Sequence, residues 1–122
     1  MRFLVVDDSA TMRRIVVNSL QRVGFTDVVE AGDGAEALEK IESIDFLITD
    51  WNMPKLSGAE LTRAVRARAD TKVLPILMVT ARSVRDDILT AMEAGVDSYV
   101  VKPFTPQVLR EKIDAVLAAR AA

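Results

Sequence analysis

The sequence predicts a doubly wound α/β domain in which five parallel strands alternate with five helices. Short apolar runs alternate along the chain with longer stretches whose apolar residues recur at helical spacing. Nearly continuous apolar runs are typical of strands that are buried on both faces of a parallel sheet. Because the connecting segments are short, we expect one domain, residues 1–122, with no second domain attached. The predicted strands are Phe3–Val6, Asp27–Glu30, Phe46–Thr49, Ile76–Thr80 and Ser98–Val101.

Five helices are predicted after the strands from apolar residues that fall on one helical face. Gly24 and Gly95 are expected to end the first and fourth helices, since glycine is favoured just past a helix end. Thr105 followed by Pro106 is typical of an N-cap and a first helical residue. The expected apolar faces are Met12, Ile15, Val16 and Leu20; Leu38 and Ile41; Leu61, Ala64 and Val65; Ile88 and Met92; and Leu109, Ile113, Val116 and Leu117.

The composition excludes several classes of site. The chain has no cysteine and no histidine, which rules out thiolate chemistry, imidazole bases and histidine-ligated metals. Any bound metal must have oxygen ligands, which favours Mg²⁺, Ca²⁺ or Mn²⁺. A formal net charge of -2 gives no basic footprint for nucleic acid. No apolar stretch approaches the roughly 20 residues of a membrane helix, so we expect a soluble, cytoplasmic protein without membrane insertion.

Chemically active side chains follow several of the predicted strands. In an open α/β sheet the binding site lies beyond the carboxyl ends of the strands. Asp7 and Asp8 follow the first strand, Asp50 the third and Lys102 the fifth, while Thr80 ends the fourth. Clustered carboxylates repel one another, and a divalent cation such as Mg²⁺ relieves that repulsion. A carboxylate can also accept a phosphoryl group, whose oxygens a metal, a lysine and a hydroxyl can bind.

Each of these residues also has an ordinary structural interpretation. Asp8 or Ser9 could cap the first helix. Asp50 could be a turn residue, Thr80 a plain strand residue and Lys102 a solvated charge. We reject these interpretations jointly, because they require all of these residue types to reach the same edge of the sheet by chance.

Four motifs extend this hypothesis to a protein family. They are FLVVDDSATMRRIV, LITDWNMPKLSG, LPILMVTA and SYVVKPF. In this order they resemble the receiver domain of two-component response regulators, most closely its chemotaxis branch. The resemblance covers about residues 2–117 and implies a flavodoxin-like fold with strand order 2-1-3-4-5. It also implies a cis peptide bond between Lys102 and Pro103.

The family assigns a role to each matching position. Asp50 resembles the phosphate-accepting aspartate, and Asp7 and Asp8 match the acidic pair that organises Mg²⁺. The backbone carbonyl of Asn52 matches the remaining protein ligand of the metal. Lys102 matches the lysine that pairs with the phosphoryl group.

Two further positions match the family's switch. Thr80 resembles the hydroxyl that hydrogen-bonds the phosphoryl group, and Tyr99 the aromatic side chain whose rotamer couples to it. Phosphorylation is expected to remodel a partner surface near Val84, Arg85, Val96, Tyr99, Thr105 and Lys112. Arg82 departs from the enteric motor regulator, which has an acidic residue there, and is expected to affect the rate of dephosphorylation.

These matches imply a monomeric, single-domain response regulator with no output domain, a signalling switch and not an enzyme. The implied partners are a histidine kinase of the CheA type and a flagellar motor switch protein. A phosphatase is a further partner that the resemblance allows. The alternatives are a stand-alone receiver that acts as a phosphate sink or cell-cycle regulator, a Mg-dependent phosphohydrolase, and a flavin-binding module. The flavin alternative is disfavoured because Asp7 and Asp8 would repel a phosphate.

Overall fold

The computed structural model describes residues 1–53, 55–81 and 85–121, and residues 85–87 by their backbone alone. Pro54, Arg82 and Val84 therefore lie outside the described residues, as does the side chain of Arg85. The elements are β1 (Phe3–Val6), α1 (Ala10–Arg22), β2 (Val28–Ala31), α2 (Gly34–Lys40), β3 (Phe46–Asp50), α3 (Gly58–Ala67), β4 (Ile76–Thr80), α4 (Arg85–Ala94), β5 (Ser98–Val101) and α5 (Pro106–Ala121).

The five strands form one parallel sheet in the order β2-β1-β3-β4-β5, which confirms the predicted fold. β1 lies between β2 and β3: its first residue, Phe3, pairs with Val28 on one side and Phe46 on the other. β2 lies one residue later than predicted because this register places Asp27 before the ladder. β3 continues to Asp50, which pairs with Val79 of β4. The candidate acceptor is therefore the last residue of a strand in the sheet interior.

Two hydrophobic cores cover the two faces of the sheet. On one face α1 and α5 contribute Val16, Leu20 and Ile113, together with Phe3 and Phe46 of the sheet. On the other face α2, α3 and α4 pack against the alternate strand residues. Successive side chains of a strand point to opposite faces, which is why both faces of these apolar runs are buried. This arrangement leaves the carboxyl edge of the sheet as the place where polar side chains collect.

Two of the predicted helix faces are wrong in part. Ile15 of α1 is 45% exposed, whereas its neighbours Val16 and Val17 are buried. On α4, Met92 is 46% exposed and the small residues Ala91 and Ala94 face the core instead. Helical spacing identifies a stripe of apolar residues, but it does not decide which edge of the stripe the sheet covers.

The helix ends agree with the predicted signals. Ser9 caps α1 by accepting a hydrogen bond from the Met12 amide at 3.2 Å, so it and not Asp8 is the cap. Gly24 and Gly95 have φ values of +100° and +112°, the left-handed region that glycine adopts readily. Thr105 accepts from the Val108 amide at 3.1 Å at the start of α5. None of the helices in the described part of the chain has the length and apolar character that a membrane span requires.

Candidate functional site

The carboxyl ends of β1 and β3 bring three carboxylates together. Each of Asp7, Asp8 and Asp50 offers an oxygen, and these oxygens lie within 4.8 Å of one another. Asp7 follows β1 directly and Asp50 ends β3, and the two strands are neighbours in the sheet. Asp7 is buried and Asp50 is half-buried, whereas Asp8 is exposed. The sheet topology alone therefore collects the cluster that the sequence predicted.

Lys102 supplies a positive charge to this cluster from the end of β5. Its Nζ atom lies 3.3 Å from Oδ2 of Asp7 and 3.5 Å from Oδ1 of Asp50. The Lys102 amide donates a 2.7 Å hydrogen bond to the Thr80 carbonyl, which fixes the backbone at this point. The peptide bond between Lys102 and Pro103 is cis, which confirms the prediction. Lys102 thus bridges two carboxylates that come from different strands.

The surroundings of Asp50 oppose its ionisation. Burial raises the pKa of the Asp50 carboxyl above its ordinary value, the Lys102 ammonium lowers it, and the negative charge of Asp7 raises it again. The Trp51 amide donates a 2.9 Å hydrogen bond to Oδ1 of Asp50, which favours the charged form. A cation added beside Asp50 would favour the same charged form.

The cluster fits a hard divalent cation. All of its donors are carboxylate oxygens, which Mg²⁺ prefers over nitrogen or sulfur. Three carboxylates face one ammonium, so a dication would neutralise the remaining negative charge. Asn52, whose carbonyl was predicted as a further ligand, lies in the exposed loop two residues after Asp50. We conclude that Asp7, Asp8 and Asp50 can together hold one such ion.

Thr80 and Tyr99 lie on the same face of the sheet, on adjacent strands. Tyr99 pairs with Met78, and Thr80, two residues further along β4, pairs with Val101. Since strand side chains alternate between faces, Met78, Thr80 and Tyr99 point the same way. Thr80 is buried, whereas Tyr99 is partly buried and packs against the α2–α4 side of the core. The two side chains thus share one side of the sheet on neighbouring strands.

Comparison with known proteins identifies the family. The sequence profile of the response regulator receiver domain matches residues 3–114. The chain belongs to the response regulator receiver family. It is 56% identical over 118 residues to the chemotaxis protein CheY of Pseudomonas aeruginosa, an alignment that spans 95% of each chain. It is 51% identical over 120 residues to the chemotaxis protein CheY1 of Helicobacter pylori, spanning 96% of this chain and 97% of that protein.

A solved structure supports the same assignment. The chemotaxis response regulator CheY4 of Vibrio cholerae is similar with a TM-score of 0.86 at 37% identity, covering 94% of this chain and 97% of that one. The chain is thus a CheY-type receiver domain, and proteins of this type are signalling switches in two-component systems.

The expected partner surface of the receiver is only partly at the surface. Val96 is buried in the core together with Ala91 and Ala94 of α4. Thr105 is exposed, and the Nζ atom of Lys112 lies 5.5 Å from the centre of the Tyr99 ring. A cleft of about 440 Å³ lies between β5 and α5 and is lined by Tyr99, Thr105, Lys112 and their neighbours. Tyr99, Thr105 and Lys112 supply the polar side chains of this lining.

Sequence reasoning gave no role to Gly58, which the structure places directly beneath the acceptor. A Cβ atom on Gly58 would lie 2.4 Å from the Asp50 carbonyl oxygen and 3.0 Å from Cα of Trp51. The Gly58 amide also donates a 2.9 Å hydrogen bond to the Trp51 carbonyl. Ser57 is the N-cap of α3 and forms a capping box with Glu60, a pattern that the sequence S-G-A-E already contains. The first turn of α3 is therefore built against the backbone of Asp50.

Replacing Gly58 with alanine should destabilise the receiver by about 2 kcal/mol, the usual cost of overpacking. The reason is that the added Cβ meets backbone atoms, which cannot rotate away. Gly32→Ala is the matched control, because the nearest heavy atom to its Cβ is 3.5 Å away. Urea unfolding of both variants checks this expectation. Equal stabilities for the two variants would show that α3 can shift without loss.

Proposed function

We propose that this chain is a single-domain chemotaxis response regulator that accepts a phosphoryl group on Asp50. The observation that carries this proposal is the meeting of Asp50 with Asp7, Asp8 and Lys102 at one edge of a receiver fold. The relatives named CheY support the chemotaxis role. The alignments span 97% and 95% of these two relatives, so the support applies to nearly the whole receiver.

In this proposal Asp7, Asp8, Asp50 and the carbonyl of Asn52 hold Mg²⁺. When bound, the ion supplies positive charge that neutralises the carboxylates and the phosphoryl oxygens. The fit of the donor set supports this assignment, since three carboxylate oxygens lie within 4.8 Å of one another. Lys102 remains as the cation that this chain itself contributes.

The proposed reaction moves one phosphoryl group without net hydrolysis. An ionised oxygen of Asp50 forms a bond to phosphorus, and the bond from phosphorus to the phosphohistidine nitrogen of the kinase breaks. The electron pair of that bond stays on the imidazole, which takes a proton from water. Lys102, already 3.5 Å from Asp50, is placed to pair with the charge that arrives on the phosphoryl oxygens. The histidine must come from a partner, since this chain has none.

The proposed signal passes through Thr80 and Tyr99 to the cleft beside α5. A phosphoryl group on Asp50 attracts the Thr80 hydroxyl, because charge-assisted hydrogen bonds to phosphate are strong. Tyr99, which lies on the same face of the sheet, then turns further inward and changes the rim that it forms with Lys112. A partner that prefers this shape binds more tightly and favours phosphorylation in return. We propose a CheA-type kinase as the donor and a flagellar motor switch protein as the target.

The test measures the affinity of the purified chain for a flagellar motor switch protein, with and without a beryllium fluoride mimic of the phosphoryl group. We expect the mimic to tighten binding by roughly 5–150-fold in the wild type, the usual range of allosteric coupling. Thr80→Ala should lose most of this coupling. Thr71→Ala is the matched control, because Thr71 is also buried and its hydroxyl bonds the Val65 carbonyl, away from the site.

Three results would contradict the proposal in different ways. Equal coupling in the wild type and Thr80→Ala would remove Thr80 from the relay. Loss of coupling in Thr71→Ala as well would show that general destabilisation is responsible. No binding of the motor switch protein in any state would favour a phosphate sink or a regulator of another process.

A further inference from the structure

Arg13 of α1 reaches back to the backbone of the acidic pair. Its Nη1 atom donates a 2.7 Å hydrogen bond to the carbonyl oxygen of Asp7. Its Nε atom donates to Oε1 of Glu30 on β2 at 3.1 Å. The Arg13 side chain is 20% exposed, so the guanidinium is largely enclosed between these two acceptors. The Arg13 guanidinium thus connects α1, β2 and the loop that carries Asp7 and Asp8.

This contact fixes the loop at the point where a metal site needs it. The Asp7 carbonyl belongs to the peptide plane that joins Asp7 to Asp8, so holding its oxygen fixes the orientation of that plane. The carboxylate of Asp7 is held separately, by the Ser9 amide at 2.9 Å and by Lys102 at 3.3 Å. In the described parts of the chain, no hydrogen bond or ion pair holds the carboxylate of Asp8. The direction of Asp8 therefore depends on its backbone. Hydrogen bonds of the Asp7 and Ser9 amides hold the two flanking residues, and Arg13 holds the carbonyl of the peptide bond that leads into Asp8.

Arg13 has two opposite effects on cation binding: its hydrogen bond positions the loop, and its positive charge repels the cation. A guanidinium near the cluster repels a bound cation, so removing it would strengthen cation binding if charge alone mattered. Glu30 offsets part of that charge, because its carboxylate pairs with Arg13 on one oxygen and with Arg14 on the other. Loss of the hydrogen bond to the Asp7 carbonyl would release the peptide plane that leads into Asp8. We expect this loss of positioning to weaken cation binding more than the relief of repulsion strengthens it.

We propose that Arg13 is a positioning residue for the cation site, acting through the Asp7 carbonyl on the direction of Asp8. This inference rests on the metal site of the proposed function and adds a residue to it. Loss of a residue that orients a metal ligand typically weakens metal binding 10–100-fold. Because Arg13 acts on the backbone of one ligand of three, we expect the lower end of that range, about tenfold.

The experiment titrates the purified chain with MgCl₂ and follows the fluorescence of Trp51, which is the only tryptophan and bonds Asp50 through its amide. Arg13→Met removes both hydrogen bonds and should raise the Kd for Mg²⁺ about tenfold. Arg13→Lys keeps the charge but lacks the guanidinium group that bonds both acceptors. Its Kd for Mg²⁺ should lie between those of the wild type and Arg13→Met. Arg14→Met is the matched control, because Arg14 pairs with the same Glu30 but is 59% exposed. Its Kd should stay within about twofold of the wild type.

Each outcome separates this inference from the function on which it rests. If the wild type shows no response to Mg²⁺, the metal site of the proposed function is wrong and this inference fails with it. If the wild type responds and Arg13→Met binds equally or more tightly, only the role of Arg13 is overturned. An equal loss in Arg14→Met would show that the effect does not need the hydrogen bond to the Asp7 carbonyl, which also overturns it. Should Arg13→Met not fold in the absence of Mg²⁺, Arg13→Lys decides, and an unchanged Kd there counts against the proposal.

Discussion

Replacing Asp50 with asparagine should abolish phosphorylation and leave the fold intact. Asparagine is nearly isosteric with aspartate, but its amide is a poor nucleophile toward phosphorus. The variant should also be at least as stable as the wild type at neutral pH without Mg²⁺. Burial and Asp7 raise the pKa of Asp50, so the charged form costs the native state free energy that asparagine does not. Labelling with a small phosphodonor and thermal melting in chelator measure the two effects.

The matched control for Asp50→Asn is Asp45→Asn, at the opposite end of β3. Asp45 is exposed and accepts a hydrogen bond from the Arg2 amide, far from the cluster. This variant should be phosphorylated at the wild-type rate. Full labelling of Asp50→Asn would move the acceptor to Asp7 or Asp8 and contradict the proposed role of Asp50.

Replacing Lys102 with methionine should destabilise the receiver by about 3 kcal/mol at neutral pH without Mg²⁺, at the lower end of the cost of breaking a buried ion pair. Methionine keeps much of the apolar stem of lysine but leaves Asp7 and Asp50 without a counter-charge. Both carboxylates are largely enclosed, with side-chain exposures of 4% and 14%. Millimolar Mg²⁺ should restore part of the stability, because a dication that binds only the native state stabilises it.

The loss in Lys102→Met should depend on pH in a definite direction. Lys102 lowers the pKa of Asp50, so its removal lets burial and Asp7 raise that pKa further. A carboxyl whose native pKa lies above its unfolded value contributes stability at low pH, and this is lost as pH rises through the native value. The variant should therefore approach the wild type near pH 4, the ordinary aspartate range, and fall behind it toward neutrality.

Urea unfolding across this pH range measures the effect, and the double variant Lys102→Met/Asp50→Asn is its control. Removing one of the two carboxylates should recover much of the lost stability and flatten the pH dependence. A loss of the same size at every pH would show that Lys102 acts through packing and not through charge.

Much of the site was predictable because the sheet topology places it. Runs such as Phe46–Thr49 are long and apolar enough to identify strands, and a parallel sheet brings their carboxyl ends to one edge. Asp7, Asp8, Asp50 and Lys102 could therefore be collected from their positions along the chain. The cap at Ser9 and the glycines after α1 and α4 follow from local rules of helix termination.

The remaining features depend on tertiary contacts that local patterns do not encode. Ile15 and Met92 satisfy helical spacing, yet the sheet covers the neighbouring edge of each stripe. Glycine is required at position 58 because α3 begins close to the backbone of Asp50. That requirement depends on how the two elements pack, which local sequence patterns do not encode. Arg13 bonds a carbonyl six residues earlier in the chain, and the turn between them decides whether it can reach. Sequence spacing gave no signal for that contact.

We expect Asp50 to accept a phosphoryl group at a site assembled with Asp7, Asp8 and Lys102. The most direct measurement incubates the purified chain with Mg²⁺ and acetyl phosphate, traps any acyl phosphate by borohydride reduction, and locates the modified residue by peptide mass spectrometry. We expect a single modified position, Asp50, whose labelling requires Mg²⁺. Modification at another aspartate, or none at Asp50 with Mg²⁺ and donor in excess, would contradict it.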